Sequence, residues 1–451
     1  MIPPKARVFL VFVAALAVYL AWGTGGTFRY AEIPVAPSYN LLAQSMAQGR
    51  LDLAGPPYLQ ESVKVHQGRR YLLPGPLPAV LRLPFALVAA NIPTGLAIAL
   101  FCAGTVALAF ASMVRLSGNK GGNGALALAL IFSGALGLSG YALFLNALPL
   151  ASHEAVAGAS FFLMAATALY LRFSARAFAA SWVGALGFAL CLGAACACRW
   201  AFFPAAGALG VAFLWGMTSR KASRAGPNAL ILVVAGVLTV GSLLAYNHAR
   251  FGNAWDFGAP VEGQPLTEYA EVYGPYRYDQ IPVNLWNLFF RMPRAGTAFP
   301  YIHMPLFTLA GESAGPQSYY LANVNELCAS LFVLFPLALL AAVPLGSLVA
   351  GRAGKSKGDL TILALSAALV VLSLAGGLRS VARSYWEFLP LMTVLAFWGA
   401  SWLKDRGKMT PEAAGVLAGV SVAVSFSLAA QGVLIYYAFY HFRGPLLGWF
   451  F

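Results

Sequence analysis

Between Leu10 and Tyr437 the chain divides into about eleven apolar runs, each near the roughly 20 residues that a helix needs to cross the hydrocarbon core of a bilayer. Inside lipid a peptide group finds no water, so a spanning segment must satisfy its own backbone. These runs read as helices, and the chain as an all-α polytopic membrane protein with about 11 transmembrane helices. A composition of 60% hydrophobic and 10% charged residues agrees with that class, because a water-soluble core does not need apolar stretches repeated down the chain.

The charges are sorted by the side on which they fall. Six short connectors are basic: Lys5/Arg7, Arg115/Lys120, Arg172/Arg176, Arg220/Lys221/Arg224, Arg352/Lys355/Lys357 and Lys404/Arg406/Lys408. The alternate connectors hold all but three of the carboxylates, the exceptions being Asp359, Asp405 and Glu412. Lys and Arg beside spans stay cytoplasmic, so the basic side is expected inside and the acidic, aromatic-rich loops outside. The formal charge of +14 is then a topology signal and an attraction to anionic headgroups, and no nucleic-acid partner is expected. The five cysteines lie in or beside apolar runs without metal-finger spacing and read as small hydrophobes. No small-x-small site follows the first run, where Trp22-Gly23-Thr24 stands, so that run is expected to remain as a helix.

The expected helices lie near 8–22, 94–114, 124–143, 154–171, 179–197, 200–216, 228–246, 321–348, 359–376, 386–403 and 413–436. Pro336 and Pro344 should kink the eighth. The chain reads as one integral membrane domain, 1–451, with two large outer segments at 23–93 and 247–318. Pieces at 40–48 and 79–90 are too short to cross and are expected to lie in the interface, with Arg82 interrupting the second. An odd number of spans puts the amino end inside and the carboxyl end outside. No internal repeat is visible, which leaves an inverted-repeat transporter without support.

Several groups could carry chemistry on the outer side. Glu32 lies about ten residues past the first helix, where a carboxylate can serve as general base or be a solvated loop acid. Ser152-His153-Glu154 opens the fourth helix; Glu154 suits the helix dipole, but a charge entering an apolar span is costly unless it has a partner. Arg199 sits in a very tight turn, aimed at an anion such as phosphate or snorkelling to the interface. In LRSVARSYWEFLP, Glu387 is expected to pair with Arg383 four residues back, while Arg379 is a candidate for an anion. Tyr246-Asn247-His248-Ala249-Arg250-Phe251 leaves the seventh helix, followed by Trp255-Asp256, where aromatics suit an interfacial belt or a sugar. No phosphate-binding loop, HExxH or dinucleotide fingerprint occurs, so any donor must arrive through the membrane or from outside.

Four stretches together resemble a known family. They are SYNLLAQSMAQGRLDL (38–53), QGRRYLLPGPLPAVLRLP (67–84), SHEAVAGASFFLMAATALYLRF (152–173), and the pair YNHARFGNAWDFG (246–258) and RSYWEFLPLM (383–392). The chain is similar to the GT-C-type glycosyltransferases of the protein mannosyltransferase and aminoarabinose transferase superfamily, in an uncharacterised bacterial branch. That resemblance implies transfer of a sugar from a polyprenyl-phosphate donor to a periplasmic or membrane acceptor, in a bacterial inner membrane. It implies catalytic Glu32 and Glu154 with His153 beside them, and lipid phosphate on Arg199, Arg379, Arg383 and Arg250. Tyr39, Asn40, Tyr71, Trp255 and Asp256 would line the acceptor and sugar side. No cofactor is implied; a divalent cation is compatible but not indicated. A lipid-linked sugar flippase and an inactive assembly subunit are the rival readings.

Overall fold

The structure is a computed structural model that describes residues 3–29, 38–53, 63–88, 90–118, 122–222, 224–257, 278, 281–295, 302–303, 330–351, 357–376 and 382–440. Helices make up almost all of it. In chain order they are α1 (Pro4–Gly23), α2 (Ser38–Ala47), α3 (Leu77–Val80), α4 (Leu83–Ala86), α5 (Thr94–Ser117), α6 (Gly122–Gly137), α7 (Gly140–Ala147), α8 (Ala151–Ser174), α9 (Trp182–Cys198) and α10 (Phe203–Ser219). They continue as α11 (Ala225–Phe251), α12 (Ile281–Phe289), α13 (Leu331–Leu334), α14 (Ala342–Val349), α15 (Lys357–Ala375), α16 (Leu389–Lys404) and α17 (Pro411–Tyr440). Eight segments among the described residues are long and apolar enough to cross a bilayer. Trp182–Cys198 and Pro336–Val349 are shorter apolar helices, and α16 has 16 residues. Every predicted run thus has a helix at its place, and the chain is a multi-pass membrane protein by length and composition.

The boundaries differ from expectation where local chemistry intervenes. α11 runs to Phe251 and stops at Gly252, whose φ of 71° is the left-handed conformation that glycine adopts without a Cβ penalty. Tyr246 to Phe251 is therefore the last turn of a helix, and the second outer segment starts after it. The third span is broken at Leu138-Ser139, where the Ser139 hydroxyl accepts from Ala142 N and restarts the helix as α7. Around Pro336 the eighth run is split into α13, a 3₁₀ stretch Pro336–Ala341 and α14; the ring removes one backbone donor and forbids a continuous α-helix. The outer segment 23–93 also contains a hairpin, β1 (Val63–His66) with β2 (Arg69–Leu72), closed by Gln67-Gly68 with both residues at positive φ.

Lipid replaces water as the outer solvent. α11 has only 6% of its span buried, and it exposes Val237 and Leu238 at 67% and 66%, a surface that water would penalise and hydrocarbon does not. Inside, helices approach through glycine. A Cβ on Gly140 would overlap the Ser425 carbonyl of α17, while the Gly140 amide donates to Ser425 Oγ at 2.9 Å. Small residues at crossings of this kind are what hold membrane helices together, since lipid supplies no hydrophobic drive between them. Gly140→Ala is accordingly expected to lower stability by about 1–3 kcal/mol through overpacking, whereas Gly236→Ala, with no neighbour within 4 Å, leaves it unchanged. Thermal midpoints of the two purified variants check the contrast, and equal midpoints would refute the close crossing.

Candidate functional site

The buried charges gather at the end of the bundle where α8 begins. Its first turn carries Ser152, His153 and Glu154, all buried, so the carboxylate sits beside the free amides that favour it. Glu154 faces Arg82, which comes from the short break between α3 and α4. Both carboxylate oxygens are engaged: Arg82 Nη1 donates to Oε1, and Nη2 donates to Oε2 at 2.9 Å. Two further donors of the guanidinium are also used, Nε on Asn40 Oδ1 at 3.1 Å and Nη1 on the Pro78 carbonyl at 3.0 Å. Asn40 Oδ1 also accepts from Ile92 N, and its Nδ2 donates to Ile92 O at 2.9 Å. Tyr39 lies under the guanidinium, 5.8 Å from ring centre to Cζ, and donates to Gly75 O at 3.3 Å. One ion pair thus binds α2, the α3–α4 turn and the start of α5 to α8.

Arg250 works in the same way at the end of α11. It is buried, donates from Nη1 to Leu72 O and from Nη2 to Asn247 Oδ1, both at 2.6 Å, and stacks 4.0 Å from the Tyr246 ring and 4.5 Å from that of Phe251. Tyr71 meets the other side of Phe251, edge to face at 5.5 Å. Gly75 completes the seal: its amide donates to Cys198 O at 3.1 Å, and a Cβ there would overlap the Ala197 carbonyl.

A second ion pair lies within electrostatic reach of His153. Arg199, just past α9, places Nε 2.7 Å from Glu387 Oε1. The contact is close but off line for a hydrogen bond, so both Glu387 oxygens lack a hydrogen-bond donor among the described residues. Glu387 is fully buried, whereas the Arg199 side chain keeps 22% exposure. Arg383 is within electrostatic reach of both Glu387 and His153. Burial pushes the Glu387 carboxyl up to about 7, with Arg199 and then Arg383 pulling the other way. These groups are carried by a 3₁₀ turn, Ala382–Glu387, locked to α8 by Ser160 Oγ on Trp386 O at 3.1 Å and to α12 by Tyr385 on Asn287 O at 3.2 Å.

Of the residues predicted from sequence, Glu154, His153, Tyr39 and Asn40 come together around the start of α8, and Arg199 and Arg383 beside it. Glu32 and Arg379 lie outside the described residues. Arg250 gives its terminal nitrogens to Leu72 O and Asn247 Oδ1, while its Nε is buried without a hydrogen-bond partner among the described residues. Trp255 is 73% exposed, and Asp256 acts on Arg250 through its field. The expected Arg383–Glu387 pair is replaced by Arg199–Glu387. In a 3₁₀ turn residues three apart eclipse, so the four-residue spacing that aligns side chains on an α-helix does not apply. Arg82 was missed as a partner for Glu154, although a lone Arg in an apolar interfacial piece was its signal. Among the described residues no group of three His, Cys, Asp or Glu could hold a metal ion.

With this geometry in place, solved structures supply a fold. The oligosaccharyltransferase of Archaeoglobus fulgidus in its apo form superposes with a TM-score of 0.53 over 95% of this chain at 11% identity. The same archaeal enzyme, AglB, in complex with an inhibitory peptide and a dolichol-phosphate, gives 0.50 over 95% at 11%. This chain has the GT-C fold. It spans 56% of the length of those archaeal chains. No protein-family model matches, and no curated protein matches by sequence.

Breaking a buried pair leaves one charge uncompensated and costs about 3–5 kcal/mol, while replacing both partners by apolar groups of similar size is often nearly neutral. Arg82→Met and Glu154→Leu are each expected to destabilise by that amount and the double variant to recover most of it; additive losses in the thermal midpoints would show that the pair is not coupled. The Glu387 carboxyl, raised from its ordinary 4.5 to about 7, binds its proton more tightly in the folded chain. Its contribution to stability is therefore complete below pH 4.5 and is lost as pH rises through about 7. Glu387→Gln should flatten the fall in midpoint across that window, and an unchanged slope would contradict the shift.

Proposed function

We propose that this protein is a glycosyltransferase that moves a sugar from a polyprenyl-phosphate donor to an acceptor at the acidic-loop side of the membrane. The observation that carries the reading is Arg199. It remains partly open, as does Arg383 beside it, whereas Arg82 and Arg250 are buried, and it stands at the rim of a GT-C fold where helices give way to loops. Its guanidinium retains donors for a phosphate, and Arg383 adds a second positive charge nearby. Support for the lipid carrier comes from the archaeal neighbour, whose complex contains a dolichol-phosphate.

In this reading the donor slides in from the bilayer with its phosphate towards Arg199 and Arg383, and Arg379 is expected to join them. The acceptor's nucleophilic atom attacks the anomeric carbon, the bond from that carbon to the phosphate oxygen breaks, and the carrier leaves as polyprenyl phosphate. Charge grows on that leaving phosphate, so fixed guanidinium groups lower the barrier. Glu32 takes the proton of the acceptor. Glu154 acts as a positioning residue through Arg82, and His153 feels the fields of Arg383 and Arg199. The basic connectors support a reading in which this face looks away from the cytoplasm and the amino end lies inside, and the family resemblance supports a bacterial inner membrane.

The test is a deletion strain complemented with full-length wild-type, Glu32→Gln or Arg199→Ala protein, with mass spectrometry of lipid-linked sugars and surface glycans. Deletion should remove one glycan modification and accumulate its lipid donor. The wild type should restore it, and each variant, expressed at normal level, should restore transfer at least about a hundredfold more slowly. Unaltered glycans after deletion, or full complementation by both variants, would refute the assignment.

A further inference from the structure

The opposite end of the bundle contains a cavity that the transfer site does not use. It lies between the C-terminal ends of α8 and α10 and the first turn of α15 and measures about 730 Å³, inside the range of about 300–1,000 Å³ typical of ligand sites. Its walls divide by chemistry. Along the helices, Val211, Trp215, Ile362 and Leu365 form an apolar trough. Trp215 is 74% and Val211 67% exposed, so the trough is open sideways to hydrocarbon. At the connector end stand Ser174, Ser219, Arg220, Lys357 and Asp359.

The floor is held in an unusual backbone. Ala177 and Phe178 carry φ of 52° and 60°, left-handed values that side chains with a Cβ rarely adopt. This turn tucks Phe178 under the cavity, and Gly216 makes room for it, because a Cβ there would overlap the ring. The Arg220 guanidinium then rests 5.6 Å above the Phe178 ring centre, aimed along the wall that Asp359 shares. Two cations and one carboxylate therefore surround the polar end of an apolar slot. The carboxylate is unusual on this face, which holds three of the chain's 15 acidic residues.

We propose that this cavity binds an aminophospholipid from the leaflet on the basic side. Its phosphate diester lies between Arg220 and Lys357, its ammonium on Asp359, and one acyl chain in the trough past Trp215 and Leu365. A headgroup with phosphate alone would satisfy the cations and be repelled by Asp359. One carrying a quaternary amine would give Asp359 no N–H donor. A primary ammonium meets all three charges at once. The site is independent of the glycosyl-transfer reading.

Full-length protein exchanged into nanodiscs of phosphatidylethanolamine, phosphatidylglycerol or phosphatidylcholine, followed by native mass spectrometry, tests the proposal. The wild type should retain one phosphatidylethanolamine in preference to the other two. Arg220→Ala/Lys357→Ala should weaken that retention at least about fivefold, the scale of lost basic contacts at a membrane surface. Asp359→Asn should hold phospholipid but lose the preference for ethanolamine over glycerol. Leu365→Trp, which keeps every charge and fills the trough, should also abolish retention, so a misfolded charge variant does not end the test. Equal retention of all three lipids by the wild type would overturn the proposal. So would unchanged retention in both Arg220→Ala/Lys357→Ala and Leu365→Trp, or an intact ethanolamine preference in Asp359→Asn.

Discussion

The elements around the start of α8 depend on a buried ion pair. Glu154 is fully enclosed at the start of α8 and Arg82 is 3% exposed, so each has lost the hydration that a charge would keep at a surface. Mutual attraction alone does not offset that loss. The site closes the gap with a bidentate contact and two further donors from the same guanidinium, on Asn40 and on the Pro78 carbonyl. Because those acceptors lie on different elements, satisfying one arginine fixes α2, the α3–α4 turn and α8 relative to each other. Tyr39, Leu42 and Leu72 then form a small apolar cluster with Ala151 over the same spot.

Arg250 repeats the device from another direction, anchoring the hairpin through Leu72 O while its ring partners shield it. The two arginines thus serve as internal fasteners that attach loop structure to a helical bundle. A loop at the membrane boundary has no deep core of its own, and carbonyls such as Leu72 O and Pro78 O need a donor once covered. Arginine suits this because its fixed fork addresses several acceptors at once and stays charged while buried.

The helical plan was legible in the sequence because membrane spans declare themselves locally, through length and apolarity. Where expectation and structure part, a second influence overrides the run. Gly252 lets α11 continue past the polar Asn247-His248 pair, and Pro336 divides the eighth run into short pieces. The site was half legible. His153 and Glu154 stood out as charges entering an apolar span, and the need for a partner followed from the cost of burying them. The partner itself did not, since Arg82 lies 72 residues away and nothing within a local window links the two. Glu387 shows the converse error: a plausible neighbour at Arg383 was visible in sequence, yet the turn is 3₁₀ and the pairing falls to Arg199, brought in by the tight junction of α9 and α10.

The Arg82–Glu154 and Arg199–Glu387 ion pairs differ in how completely their hydrogen bonds are satisfied. Arg82 and Glu154 meet in a bidentate contact and Arg82 gives two further hydrogen bonds, so a ligand there would compete with a formed assembly. Arg199 and Glu387 approach closely but do not complete theirs, and Arg383 adds its positive field to the same carboxylate, whether that is ionised or protonated. With the Glu387 carboxyl near 7, both states are accessible around neutrality. An incoming phosphate would favour the protonated state, since that removes the one negative charge facing it. In the proposed reading, anion binding and proton uptake at this rim would therefore be coupled by electrostatics, before any acceptor is present.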